Sequence, residues 1–172
     1  MTDPAEKNIL VVDDEEDVRD FLKLALIEAG FTVRTASDGL EALEEVKKRV
    51  PDLISLDLVM PKKSGAKFHR ELTRNKAWAK IPIIIVTGHA RDDLGRADLR
   101  ELTMSGPGIY LEKPIKPDRY VAAVKQVLGL ETSAEEKDLA DQVELQSELK
   151  NLIDDADPDT LRQLKDMLKK KK

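Results

Sequence analysis

Four short apolar runs, each closing on a residue with reactive chemistry, constrain this chain more than any other feature. Ile9-Leu10-Val11-Val12 leads into Asp13-Asp14, and Leu53-Ile54-Ser55-Leu56 leads into Asp57. Ile83-Ile84-Ile85-Val86 ends on Thr87, and Ile109-Tyr110-Leu111-Glu112 ends on Lys113-Pro114. Short apolar runs bounded by turn signals suit strands covered on both faces. If the strands are parallel, their carboxyl ends bring three carboxylates, a hydroxyl and an ammonium together. In an open α/β sheet the crevice beyond those ends is where ligands bind.

The segments between the runs carry helical periodicity. Val18, Phe21, Leu22, Ala25 and Ala29 share one helical face, and Gly30 is placed to end that helix in the left-handed region. Phe31 to Thr35 alternates like a strand. Ser37 is positioned to cap a second helix with Leu40, Leu43 and Val46 inward, and Pro51 stops it. Gly65 opens a third helix with Phe68 and Leu72 inward. Pro82 sits near the start of the fourth strand, where a missing donor is tolerated. A fourth helix, Asp92 to Thr103, is interrupted by Gly95, and Ser105 to Gly108 is a turn. Pro117 suits the first turn of a fifth helix, with Tyr120, Val121, Val124 and Leu128 inward and Gly129 at its end. This alternation predicts an α/β fold: a doubly wound, five-stranded parallel sheet of flavodoxin-like order 2-1-3-4-5 with helices on both faces. That order makes Asp13, Asp14 and Asp57 neighbours.

The expected division is a first domain over residues 1–130 and a helical tail over 131–172. The tail holds 12 acidic and 8 basic residues, no glycine and one proline, and so carries most of the chain's net charge of -5. Ala134 to Ile153 reads as a helix with Leu145, Leu149 and Leu152 on one face. Asp154 to Asp157 breaks it, and Asp157 is placed to cap a last helix with Leu161, Leu164 and Leu168 on one side. The four terminal lysines suit a helix C-terminus. No global field draws the chain to nucleic acid or membrane. The absence of cysteine excludes disulfides, zinc-thiolate sites and thiol catalysis. Without signal-peptide character or a membrane-length apolar run, the reading is a cytoplasmic protein.

Three clustered carboxylates repel one another unless one is protonated or a cation sits between them. All-oxygen ligands suit Mg²⁺ where phosphate is involved. A phosphoryl group is the electrophile that needs such surroundings, and an aspartate can serve as its nucleophile. Asp57 is central and is the expected acceptor. Asp13 and Asp14 are placed to hold the metal, Lys113 to pair with the phosphoryl oxygens and Thr87 to hydrogen-bond to one of them. Singly, each residue has a plainer reading: an acidic helix entry for Asp13-Asp14, a satisfied hydroxyl for Thr87, a surface lysine for Lys113, a core aromatic for Tyr110. Their combination reverses the readings of Asp13-Asp14, Thr87 and Lys113, while Tyr110 by itself stays a core aromatic.

The combination Asp13-Asp14, Asp57-Leu58-Val59-Met60-Pro61 with Gly65, Thr87-Gly88 and Lys113-Pro114 resembles the receiver (CheY-like) domain of bacterial two-component response regulators, over about residues 7–129. The resemblance implies phosphotransfer to Asp57 from a sensor histidine kinase or phosphotransfer protein. It implies Mg²⁺ held by Asp13, Asp14, Asp57 and the backbone carbonyl of Val59. It also implies a switch made by Thr87 and Tyr110, a cis peptide before Pro114, and a signalling face built from the fourth helix, fifth strand and fifth helix. Val59 and His89 occupy positions that tune phosphoryl lifetime in the family, and Val59 cannot orient an attacking water. The Thr87–Lys113 segment is a few residues longer than usual.

Such a chain is a phosphoacceptor switch rather than an enzyme acting on other molecules. A Mg²⁺-dependent aspartate-nucleophile phosphatase needs a second aspartate two residues on, where this chain has Val59. A flavodoxin-like cofactor carrier conflicts with acidic residues at the switch point. A DNA-binding tail conflicts with the tail's acidity and few arginines. The tail is expected to serve protein contact, by self-association as a homodimer or by docking on the first domain; the downstream protein partner is not legible.

Overall fold

The computed structural model describes residues 3–60, 62–88, 109–130 and 132–169. Five strands, β1 (Asn8–Val12), β2 (Thr32–Ala36), β3 (Leu53–Leu56), β4 (Ile83–Thr87) and β5 (Ile109–Glu112), form one sheet in the order β2-β1-β3-β4-β5. Every pairing is parallel. The helices are α1 (Glu16–Glu28), α2 (Gly39–Lys48), α3 (Gly65–Arg74), α4 (Pro117–Val127), α5 (Ala134–Asp155) and α6 (Pro158–Lys169). The helix expected over Asp92–Thr103, the turn at Ser105–Gly108 and His89 lie outside the described residues.

Strand alternation splits the core into two layers. Leu10, Val12, Ile54 and Leu56 face α2 and α3 and pack with Val46, Phe68 and Leu72. Ile9, Val11, Leu53, Ile84 and Val86 face the other way and pack with Leu22 and Leu26 of α1 and Tyr120 and Val124 of α4. Both sheet faces are therefore dry, which is why these strands read as unbroken apolar runs.

Two helices differ in detail from the sequence reading. In α1, Phe21 is 43% exposed and Leu26 takes its place inside. In α2, Asp38 rather than Ser37 is the cap, accepting from the N–H groups of Leu40 and Glu41, while Ser37 donates to the Glu41 carboxylate. Leu40 sits at the margin of the buried face and is 51% exposed, and Ala42 is the residue that lies inward with Leu43 and Val46. Gly30 and Gly129 take positive φ at the ends of α1 and α4.

The tail is docked on the sheet. α5 begins at a capping box formed by Ser133 and Glu136 and lies against α4 and β5. It does so through small side chains, Ala140, Val143 and Ser147, all buried. Ser147 Oγ accepts from the Tyr110 N–H at 3.2 Å; its own proton has the carbonyls of Tyr110 (3.2 Å) and Val143 (2.9 Å) as acceptors. Polar contacts rim this seam: Lys125 to Glu136, Gln126 to Glu144, Arg119 to Gln146 and Lys150 to Glu112. The sequence reading had Leu145, Leu149 and Leu152 as the helix's principal stripe, and the structure turns all three to solvent.

Candidate functional site

Register places the site. Val12 pairs with Leu56, so Asp13 and Asp57 emerge side by side one residue later. Thr87 pairs with Glu112, so Lys113 leaves β5 beside the end of β4, its N–H donating to the Thr87 carbonyl. Asp13, Asp14 and Asp57 each offer a carboxylate oxygen, and these lie within 4.8 Å of one another. Asp13 and Asp57 are each 1% exposed, whereas Asp14 is open to solvent. Lys113 Nζ lies 2.8 Å from Asp13 Oδ2, 2.9 Å from Glu15 Oε1 and 3.4 Å from Asp57 Oδ2. The Lys113–Pro114 peptide is cis.

Burial and mutual repulsion govern the charges. Desolvation pushes the Asp57 carboxyl up to about 6; the Asp13 charge adds to this, while Lys113 and the Val59 N–H oppose it. Burial also raises Asp13 against the pull of Lys113. Burial alone would lower Lys113, but the carboxylates of Asp13, Glu15 and Asp57 more than offset it and hold the ammonium charged. Asp13 Oδ2 is buried and, although ion-paired to Lys113, closes no hydrogen bond of good geometry. A buried oxygen with spare acceptor capacity beside two further carboxylates fits a hard cation. Those residues therefore suit Mg²⁺ as ligands.

The remaining expected residues fall around this cluster. The Val59 N–H points at Asp57 Oδ1 at 3.4 Å. Thr87 is buried at the end of β4, and with Tyr110 and with Gln146, Ser147 and Lys150 of α5 it lines a cavity of about 260 Å³. Burial pushes the Tyr110 phenol up to about 12. Three further participants had no distinctive spacing in the sequence. Glu15 shares the Lys113 ammonium. Ser55 and Tyr120 are fully buried, with hydroxyls that meet no partner of standard geometry, and both Ser55 and the Asp13 charge act on the Tyr120 phenol. An alternating strand interior hides such a polar pair, because position 55 reads as a core site.

Gly65 makes the loop after Asp57 feasible. Its N–H donates to the Leu58 carbonyl, and a Cβ there would stand 2.1 Å from the Asp57 carbonyl oxygen and 2.8 Å from Leu58 Cα. Both obstacles are backbone. Gly65→Ala should therefore cost at least about 1–3 kcal/mol of stability and displace Asp57. Urea unfolding together with Mg²⁺ titration checks this; an alanine variant matching the parent in both would show that the loop yields freely.

The comparisons with known proteins agree with this geometry. The family model described as the response regulator receiver domain matches residues 9–125. The chain is 36% identical over 122 residues to the phosphate regulon transcriptional regulatory protein PhoB of Pseudomonas aeruginosa, covering 71% of this chain and 52% of that protein. It is 39% identical over 123 residues to the alkaline phosphatase synthesis transcriptional regulatory protein PhoP of Bacillus subtilis, covering 71% and 48%. The chain thus spans about half the length of these two relatives. Among solved structures, the chemotaxis protein CheY4 of Vibrio cholerae aligns with a TM-score of 0.62 at 28% identity, covering 71% of this chain and 98% of that one. By fold, strand order and motif, the chain belongs to the response regulator receiver domain family.

Proposed function

We propose that residues 1–130 form a phosphoacceptor switch in which Asp57 takes a phosphoryl group from a sensor histidine kinase or phosphotransfer protein, and that residues 131–172 form an interaction segment. The carrying observation is a buried Asp57 flanked by Asp13 and Asp14 and faced by the Lys113 ammonium. An Asp57 carboxylate oxygen attacks phosphorus and the donor's leaving group departs, giving an acyl phosphate. Asp13, Asp14, Asp57 and the Val59 carbonyl would hold Mg²⁺, which would supply charge neutralisation for the phosphoryl oxygens. Lys113 turns from its carboxylate clasp to a phosphoryl oxygen, and the Thr87 hydroxyl donates to another.

Thr87 and Tyr110 are the proposed relay. They share one cavity, and the Tyr110 backbone is bonded to Ser147. The β5 face that the family resemblance assigns to signalling is covered in this chain by α5, so the downstream contact has to involve or displace the tail. Phe21, Leu24 and Ile27 are exposed on α1, which starts just after Asp14. This apolar patch beside the acidic cluster suits the docking of a phosphodonor protein.

Intact mass after incubation with Mg²⁺ and acetyl phosphate tests the proposal. One added phosphoryl group, mapped to the peptide bearing Asp57, is the expected result. No addition, with acetyl phosphate or with a histidine kinase as donor, would reject the acceptor role. Because PhoB and PhoP are transcriptional regulators by name, titration with random duplex DNA at low salt is the companion test. The acidic α5 leads to the expectation of no binding.

A further inference from the structure

The tail docks by its weaker face. Ala140, Val143 and Ser147 meet the receiver, while Leu145, Leu149, Leu152 and Ile153 lie on the opposite side of the same helix, each about half exposed or more. Leu161, Leu164 and Met167 of α6 are exposed as well. Seven of the twelve large apolar side chains exposed among the described residues therefore belong to these two helices. Scattered surface leucines need no explanation, but an exposed apolar stripe at helical spacing on each of the two helices of one segment marks an interaction surface.

Charge selects the occupant. Residues 134–157 hold nine acidic and two basic residues, whereas 158–172 hold six basic and two acidic. The α5 stripe thus lies in a strongly negative half of the tail and the α6 stripe in a positive half. A surface with that polarity is complementary to itself when inverted. Glu148 flanks the α5 stripe, and Arg162, Lys165 and Lys169 are spaced at three- and four-residue intervals along α6.

We infer that the outer face of the tail pairs antiparallel with the tail of a second copy of this chain. Leu145, Leu149 and Leu152 of one copy then pack against Leu161, Leu164 and Met167 of the other, and reciprocally, as a two-fold interface requires. Glu148 meets the Arg162–Lys165 region across the seam. The inner face remains on β5 and α4, so dimerisation leaves the receiver contacts intact. This deepens the reading of residues 131–172 as an interaction segment and is independent of phosphoryl transfer.

Sedimentation equilibrium of the full chain across the micromolar range is the test. The parent is expected to dimerise, and Leu149→Glu to raise the dimer dissociation constant at least about tenfold while keeping the parent melting profile, because Leu149 faces away from the receiver. Glu148→Lys alone should weaken the dimer; Glu148→Lys combined with Lys165→Glu should restore it, since both reciprocal contacts are inverted together. A parent monomeric throughout, or a Leu149→Glu variant dimerising like the parent, overturns the inference. In either event a lower melting temperature on deleting residues 131–172 would still report the inner docked face.

Discussion

Asp57→Asn should leave the chain at its unmodified mass in Mg²⁺ and acetyl phosphate, and it should also make the protein harder to unfold. The first effect follows from losing the nucleophilic carboxylate. The second follows from burial: Asp57 is 1% exposed, and desolvation with the neighbouring Asp13 charge raises its carboxyl from 3.8 to about 6. An acid raised in the folded state contributes stability that is full below its unfolded value and is lost as pH rises through its folded value. In the absence of Mg²⁺ the ionised parent is therefore the less stable form above about pH 6, and asparagine removes that penalty. The expected gain at neutral pH is on the order of 1–3 kcal/mol. The gap should shrink as pH falls through the window from about 6 to 3.8, where the parent takes up its proton. Mg²⁺ should stabilise the parent and close the gap from the other side. Urea unfolding at neutral and acidic pH measures all three; a variant less stable than the parent at neutral pH would mean that Lys113 already compensates the Asp57 charge in full.

Lys113→Ala is the second large effect. Its Nζ is the shared counterion of Asp13, Glu15 and Asp57, with contacts from 2.8 to 3.4 Å. Removing one partner from a buried ion pair leaves charge without compensation, and the Mg²⁺-free protein should lose about 2–4 kcal/mol. Phosphoryl acceptance should fall by about 10²–10³, the usual cost of deleting one charge-stabilising donor. Mg²⁺ should recover more stability in this variant than in the parent, because Lys113 and the cation compete for the same carboxylate oxygens. Phosphorylation rates and Mg²⁺-dependent melting check both halves. A rate equal to the parent's would remove Lys113 from the chemistry.

The sheet and its reactive edge were legible because the three central strands, β1, β3 and β4, are buried on both faces. A run such as Ile83 to Val86 then needs no alternation to be read, and its last residue marks the sheet edge. Parallel pairing made the rest arithmetic: once strands one and three are adjacent, Asp13 and Asp57 converge whatever the loops do. Helix faces were less legible. Leu40 and Phe21 fit an inward stripe by spacing, yet each lies at the margin of its stripe, and Ala42 and Leu26 are the residues inside. Spacing placed Tyr120 inward, but neither its pairing with Ser55 nor the part of Glu15 could be read, since these depend on three-dimensional neighbours rather than on a strand end. The tail's stripe was legible but its use was not, because periodicity locates an apolar stripe and does not say which of two faces meets the receiver. Here the smaller residues do.

The bond between Ser147 and the Tyr110 backbone has one further consequence. β5 is the outermost strand of the sheet, and its outward N–H and C=O groups would otherwise form a template for an added strand. A helix cannot continue the ladder, yet a single hydroxyl presented by α5 engages both groups of Tyr110. The tail thus acts as a hem: it finishes a raw border of the sheet and guards the chain against edge-to-edge aggregation and against capture of extended peptides by strand addition.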